Sequence, residues 1–278
     1  MIEIFSRNNP YRGPVRAVIL DWGGTSVDHG AMGTVQLFIQ GFKELWIEVT
    51  EEEVRSGLGL APWDHISALL GHDEVQAKWR DIYGVAPSEY DLERIFRAVE
   101  MIAPTTSAMH CEPVPGLLET VAELRGNGIR IGSSSSRTFN AMEALSGAAR
   151  ERGYAPDAVV CSSDVPGGRP YPWMCFRNAV DMETYPLASI VKIGDTVADI
   201  QEGLNAGMWT VGVTKTGGYL GLSSEQAAAL DEIELRNRLS VIERQLLDAG
   251  AHFVIESVWD CPVIIEQINA MLALGRLP

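Results

Sequence analysis

The chain has 278 residues, 46 % of them apolar, and a formal charge of −15. This length and apolar fraction describe a globular protein with one large core or two unequal domains, and no apolar stretch approaches the roughly 18 residues of a membrane span. The charge disfavours nucleic acid and anionic membrane as partners, so a small anionic substrate would need a divalent metal site, an Arg or Lys and oriented N–H donors gathered in one place.

Residues 15 to 21 form the first expected strand, an apolar run that ends at Asp21 and opens into Trp22-Gly23-Gly24-Thr25. A carboxylate delivered into such a turn, with Gly24 and Thr25 offering N–H groups to an anion, suggests phosphoryl transfer to aspartate. An ester phosphatase of this design needs a second Asp two places on, to protonate the leaving oxygen, and position 23 is glycine.

A long helical stretch follows, with apolar residues at helical spacing such as Val35, Phe38 and Phe42, then Ile66, Leu69 and Leu70, then Leu92, Ile95 and Val99. It ends near Pro113-Val114-Pro115-Gly116. Beyond it strands and helices alternate: a helix over 117–124, a strand over 129–132 capped by Ser133 to Ser136, a strand over 158–160, a helix over 174–180, strands over 190–193 and 210–213, a helical segment over 216–250 and an edge strand over 251–255. The pattern predicts an α/β fold with a Rossmann-like parallel sheet as core, residues 1–28 and 113–278, and an inserted all-helical cap domain, residues 29–112.

Four groups fall at strand ends, where ligands of such sheets bind. Asp21 is the candidate nucleophile. Ser135 and Ser136, with Ser133 and Ser134, offer hydroxyls and turn N–H groups, although a serine run is more often a plain loop. Arg169 sits between Gly168 and Pro170, where a rigid turn can aim a guanidinium at phosphate. Asp195 and Asp199 stand four apart after a strand, on one face of a helix start, a spacing that suits Mg²⁺ or an N-cap. The four cysteines, Cys111, Cys161, Cys175 and Cys261, form no Cys-x-x-Cys pair, and Glu3, Arg7 and Asn8 interrupt any signal-peptide hydrophobic region. Both features point to the cytoplasm.

Taken together these groups resemble the haloacid dehalogenase superfamily, and over essentially the whole chain they are similar to its phosphonatase (phosphonoacetaldehyde hydrolase) branch. The wording is in Leu20-Asp21-Trp22-Gly23-Gly24-Thr25, Gly168-Arg169-Pro170-Tyr171-Pro172-Trp173-Met174, Gly194-Asp195-Thr196, Gly207-Met208-Trp209-Thr210-Val211-Gly212-Val213 and Gly250-Ala251-His252-Phe253. The resemblance implies Mg²⁺ held by Asp21, the Gly23 carbonyl and Asp195, with Asp199 in or near that shell, phosphoryl binding by Ser135 and Arg169, and a homodimer through the cap.

The pattern breaks in the cap. Phosphonatases cleave a carbon–phosphorus bond through an imine on a cap lysine, three residues before a histidine preceded by Asp. Here Asp64-His65 is kept and Pro62 stands at the lysine's place. Among the chain's four lysines only Lys43 is a conceivable substitute, an exposed helical lysine being the commoner meaning. Arg137 replaces a usual tyrosine and is a candidate to bind a substrate carboxylate or oxyanion, unless it is a solvated residue at a helix start. His65 is either a cap acid–base residue or a structural one. Trp22 and Trp63 are candidate pocket walls.

The reading that results is a Mg²⁺-dependent hydrolase of a small phosphonate or phosphorylated metabolite. It works through an aspartyl-phosphate on Asp21, with Arg169 and His65 assisting and without a Schiff base. A phosphate-monoester phosphatase with His65 as acid and a non-catalytic phospho-ligand binder stand as alternatives.

Overall fold

Four apolar residues, Ala17–Leu20 (β1), form the central strand of the protein, and all four are buried. Val18 and Leu20 enter one hydrophobic core and Ala17 and Ile19 another, as the alternation of side chains across a strand requires. A strand apolar on both faces has to be covered on both, and helices do so here. The computed structural model describes residues 10–278, so Glu3, Arg7 and Asn8 lie outside the described residues.

Five of the helices that follow β1 make up the inserted segment: α1 (Met32–Lys43), α2 (Glu51–Arg55), α3 (Pro62–Leu70), α4 (Asp73–Tyr83) and α5 (Glu89–Met109). Thr50 begins α2 with a reciprocal capping box to Glu53, and Pro62 begins α3 at a position where its missing N–H is harmless. These helices bury their own core, built on Phe38, Phe42, Ile47, Ile66, Trp79 and Ile95. At about 1.5–3 kcal/mol for each large side chain removed from water, that core makes the cap a packed unit and not a loop.

The remainder alternates as expected: α6 (Leu117–Gly126), β2 (Arg130–Ser135), α7 (Phe139–Glu151), β3 (Ala158–Cys161), α8 (Trp173–Asp181), β4 (Ile190–Gly194), α9 (Val197–Asn205), β5 (Trp209–Val213), α10 (Ser224–Ala229), α11 (Glu232–Asp248), β6 (Phe253–Ile255) and α12 (Cys261–Ala273). Among the described residues the six strands pair in parallel in the order β3-β2-β1-β4-β5-β6. The order reverses beside β1, so the crevice at its carboxyl end is the switch point where such sheets bind ligands. No helix among the described residues is long and apolar enough to cross a membrane.

The serine run differs from its expected form. Ser133, Ser134 and Ser135 belong to β2 and are not a cap beyond it. Pairing with β1 on one side and β3 on the other carries the ladder through them. Their small hydroxyls find partners in the protein, Ser133 Oγ donating to the Ala158 carbonyl of β3 and Ser134 Oγ to Glu202 beside the sheet.

Several polar contacts join cap and core, among them those of Thr138 with Glu100, of Asp28 and of Arg55. Asp28, where the chain leaves the core, accepts from the Gly33 amide at 3.0 Å and has His110 Nδ1, at the end of α5, 3.3 Å away. Its hydrogen bond raises the His110 pKa. Across the crevice Arg55, the last residue of α2, donates to the carbonyls of Gly30, Gly218 and Gly221.

Candidate active site

Asp21 follows β1 directly, and its amide donates to the Ile193 carbonyl, which continues the ladder by one residue and fixes the carboxylate at the sheet edge. Its Oδ1 accepts from Arg169 Nη2 at 2.7 Å. Oδ2 has no protein partner among the described residues. The turn beyond is tight: Gly24 has φ 83°, and a Cβ there would stand 2.7 Å from Asp195 Oδ2, so the position requires glycine.

Arg169 is buried and meets three carboxylates. Besides Asp21, Nη2 lies 3.0 Å from Asp199 Oδ1, and Nε donates to Glu202 Oε2 at 2.9 Å. Lys192, a lysine inside the buried strand β4, donates to Asp199 Oδ1 at 2.6 Å and sits 3.6 Å from Glu202. Four acids, Asp21, Asp195, Asp199 and Glu202, therefore share two cations, Arg169 and Lys192, away from water. Burial alone would raise the Asp199 pKa, but Arg169 and Lys192 hold it below the usual range. Asp21 and Asp195 are raised, first by burial and then by their carboxylate neighbours.

The carboxylates of Asp21, Asp195 and Asp199 can each bring one oxygen within 4.8 Å of the others. Asp195 forms no ion pair among the described residues: Thr25 Oγ1 donates to Oδ1 at 3.3 Å and the Gly218 amide to Oδ2 at 2.6 Å. The Gly23 carbonyl accepts no hydrogen bond among the described residues. An excess of buried carboxylate with an idle carbonyl is the oxygen set that a hard divalent cation needs. Asp199 is less free, because Lys192 and Arg169 occupy Oδ1 while the Thr196 amide and hydroxyl occupy Oδ2. It is the third residue of α9 and completes a capping box with Thr196. Asp195 precedes the helix, so the two acids do not form the helical pair that their spacing suggested.

A narrow pocket of about 30 Å³ opens between cap and core, lined by Asp21, Gly23, Thr34, Ser136, Arg137, Arg169 and Asp195, with Leu58 and Gly59 from the cap. The amides of Gly23 and Ser136 donate to no protein group among the described residues and stand ready for an anion. Ser135 ends β2 beneath them, and its Oγ accepts from the Arg137 amide at 3.2 Å. Arg137 donates from Nη2 to Thr34 Oγ1 at 3.0 Å and forms no ion pair among the described residues. Burial lowers its pKa.

Other expected residues lie elsewhere. His65 is enclosed in the cap, its Nε2 2.7 Å from the Val54 carbonyl and its ring against Phe38 at 4.0 Å, and burial pulls its pKa down to about 4. The structure does not bring it to the pocket. Trp22 packs on Tyr154 in the sheet core and Trp63 on Phe96 in the cap, and neither indole lines this pocket. None of the four lysines lines the pocket: Lys78 pairs with Glu53, Lys215 with Glu256, Lys192 with Asp199, and Lys43 ends α1 exposed to solvent. Sequence reasoning missed Lys192, Glu202 and Thr34. Lys192 could have been found, because a lysine inside an otherwise apolar strand must be paired.

Comparison with known proteins agrees with this geometry. Residues 18–213 match the family model described as haloacid dehalogenase-like hydrolase. A phosphonoacetaldehyde hydrolase-like protein of Syntrophobacter fumaroxidans is 52 % identical over 277 residues, covering 100 % of both chains. A phosphonoacetaldehyde hydrolase of Nitratidesulfovibrio vulgaris is 47 % identical, covering 99 % of this chain and 98 % of its own. The crystal structure of a phosphonoacetaldehyde hydrolase-like protein from Oleispira antarctica superposes with a TM-score of 0.96 at 36 % identity, covering 99 % of this chain and 100 % of that one.

Proposed function

The chain belongs to the haloacid dehalogenase-like hydrolase family, in its phosphonatase-like branch, and on that footing we propose that it is a Mg²⁺-dependent hydrolase that moves the phosphoryl group of a small phosphonate or phosphorylated metabolite onto Asp21. The observation that carries this reading is the asymmetry of the Asp21 carboxylate: Arg169 fixes Oδ1, and Oδ2 is left to attack phosphorus. Attack by Oδ2 forms the aspartyl-phosphate as the bond to the leaving group breaks, and water then releases phosphate and restores the carboxylate. The Gly23 and Ser136 amides and the Arg169 guanidinium receive the phosphoryl oxygens, supplying most of the catalysis by position and charge. Asp21, the Gly23 carbonyl and Asp195 would hold the metal, which when bound draws charge off the transferring oxygens. Asp199 tethers Lys192 and Arg169 behind them.

The Schiff-base route has no group to run on, since every lysine is paired, buried or remote from the pocket. The leaving group must therefore depart without an imine and without a carboxylic acid at position 23. His65 serves the site indirectly, as a positioning residue: its bond to Val54 steadies the segment that continues into Leu58 and Gly59 of the pocket wall. Phosphonates, acyl phosphates and phosphate monoesters assayed side by side with Mg²⁺ test the reading. Cleavage of the first two with slow monoester turnover is expected, and fast monoester turnover with no carbon–phosphorus cleavage would overturn it.

A further inference from the structure

Resting on the proposed aspartyl-phosphate chemistry, the geometry points to Arg137 as the group that stabilises the departing carbanion. We infer a substrate in which the phosphorus-bearing carbon is joined to a 2-oxo acid. In an ester phosphatase the residue two places beyond the nucleophile reaches the leaving oxygen, so the space over Gly23 is where a leaving group stands. Arg137 fills that space: its Nη2 and Nη1 lie 3.4 and 3.6 Å from the position that a Cβ on Gly23 would occupy.

Three further observations support the assignment. Arg137 is held in place, its amide on Ser135 Oγ, its carbonyl accepting from the Ser162 amide and hydroxyl, and its Nη2 on Thr34. It is a cation in a confined pocket with no carboxylate partner among the described residues, whereas Arg169, the other cation lining the pocket, meets Asp21, Asp199 and Glu202. A guanidinium in a confined pocket, with Asp28, Asp21 and Asp195 acting on it only at a distance and no carboxylate in direct contact, gains most from a ligand that brings the charge. A phosphoryl group alone would draw on the amides and Arg169; a second anion is what Arg137 lacks. The planar fork of a guanidinium fits the coplanar carbonyl and carboxylate oxygens of a 2-oxo acid.

The balance is complete without another reagent. Asp21 Oδ2 bonds to phosphorus, the carbon–phosphorus bond breaks, and its electron pair passes into the adjacent carbonyl to give an enolate whose oxygen faces Arg137. A proton from water converts the enolate to the methyl ketone of the 2-oxo acid. Water then displaces Asp21 from phosphorus, giving inorganic phosphate.

The test compares phosphonopyruvate, phosphonoacetaldehyde and acetyl phosphate on the full-length Mg²⁺ protein and on Arg137→Gln. Wild type should prefer phosphonopyruvate to phosphonoacetaldehyde in kcat/KM by about 100-fold, the worth of two charge-assisted hydrogen bonds. Arg137→Gln should lose about 100-fold more on phosphonopyruvate than on acetyl phosphate, whose leaving group needs no enolate stabilisation. Arg137→Lys should restore part of the difference, and retained binding of beryllofluoride would show that the variants fold. Equal losses on both substrates would assign Arg137 to the phosphoryl group and overturn the inference. Hydrolysis of acetyl phosphate with no cleavage of phosphonopyruvate would overturn it while leaving the Asp21 chemistry standing. Inactivity on all three would remove both.

Discussion

The guanidinium of Arg137 lies against the backbone of Gly23, 3.4 Å from where a side chain there would begin. An acid introduced at that position would meet a cation before it met a leaving group, and an opposite charge this close keeps a carboxyl ionised. Gly23→Asp alone should therefore fail to create a monoester phosphatase. Gly23→Asp combined with Arg137→Ala frees the acid to protonate and should raise hydrolysis of an alkyl phosphate such as glycerol phosphate, whose alkoxide leaves poorly unprotonated, by about 100-fold, the usual worth of a placed general acid.

Asp21→Asn keeps the shape of the side chain and its contact with Arg169 but cannot form the phosphoenzyme. Its kcat should fall by at least about 10⁴-fold on every substrate. Mass spectrometry after rapid quench with acetyl phosphate should find phosphate on the wild-type chain and none on the variant. Chelation of Mg²⁺ should abolish wild-type turnover, and restored metal should recover it.

Arg169 balances Asp21, Asp199 and Glu202 in a largely buried cluster. Arg169→Met leaves three acids to Lys192 alone and should cost about 3–5 kcal/mol of stability, as losing one partner of a buried ion network does. Urea denaturation should show a lower midpoint with an unchanged slope.

His65 should give the cap an acid limit. Its folded pKa of about 4 lies below the ordinary 6.5, so the unfolded chain takes up the proton first and stability falls as pH drops. The contribution is complete above pH 6.5 and is lost between that pH and about 4, on the order of 3 kcal/mol in all. Equilibrium denaturation of His65→Gln across this range should show a flatter profile than wild type.

Borohydride added with phosphonoacetaldehyde traps an imine wherever a free lysine meets the carbonyl. The pairing of Lys78, Lys192 and Lys215 and the exposure of Lys43 outside the pocket predict no adduct that occupation of the site by beryllofluoride suppresses. A reduced adduct that beryllofluoride suppresses would restore the Schiff-base route.

The sheet was legible because β1, β4 and β5 are short apolar runs of the kind that parallel strands buried on both faces require. The ends of β1 and β4 named Asp21 and Asp195 for the same reason, since a buried run that stops at a polar residue marks the rim of the sheet, whereas Arg169, in the loop beyond β3, was named by its glycine–proline turn. The serines were harder. Ser133 and Ser134 carry no strand signal of their own, and only neighbours on both sides and a distant Glu202 make them part of β2. His65 shows the opposite failure, since its setting in sequence resembled a site residue while its ring turned into the cap. The partners of Arg169 were illegible because ion pairs between residues far apart in sequence leave no local pattern.

The backbone of Gly218 faces two ways. Its carbonyl accepts from Arg55 of the cap at 2.7 Å, and its amide donates to Asp195 at 2.6 Å. One residue, through the two peptide units that flank it, thus serves as both the latch for the lid and the support for a metal-site carboxylate. Were the cap to swing away, it would pull on the residue that orients Asp195, so opening the entrance would loosen the seat that the acids offer a cation. Entry of a ligand and assembly of the reactive centre would then be a single event.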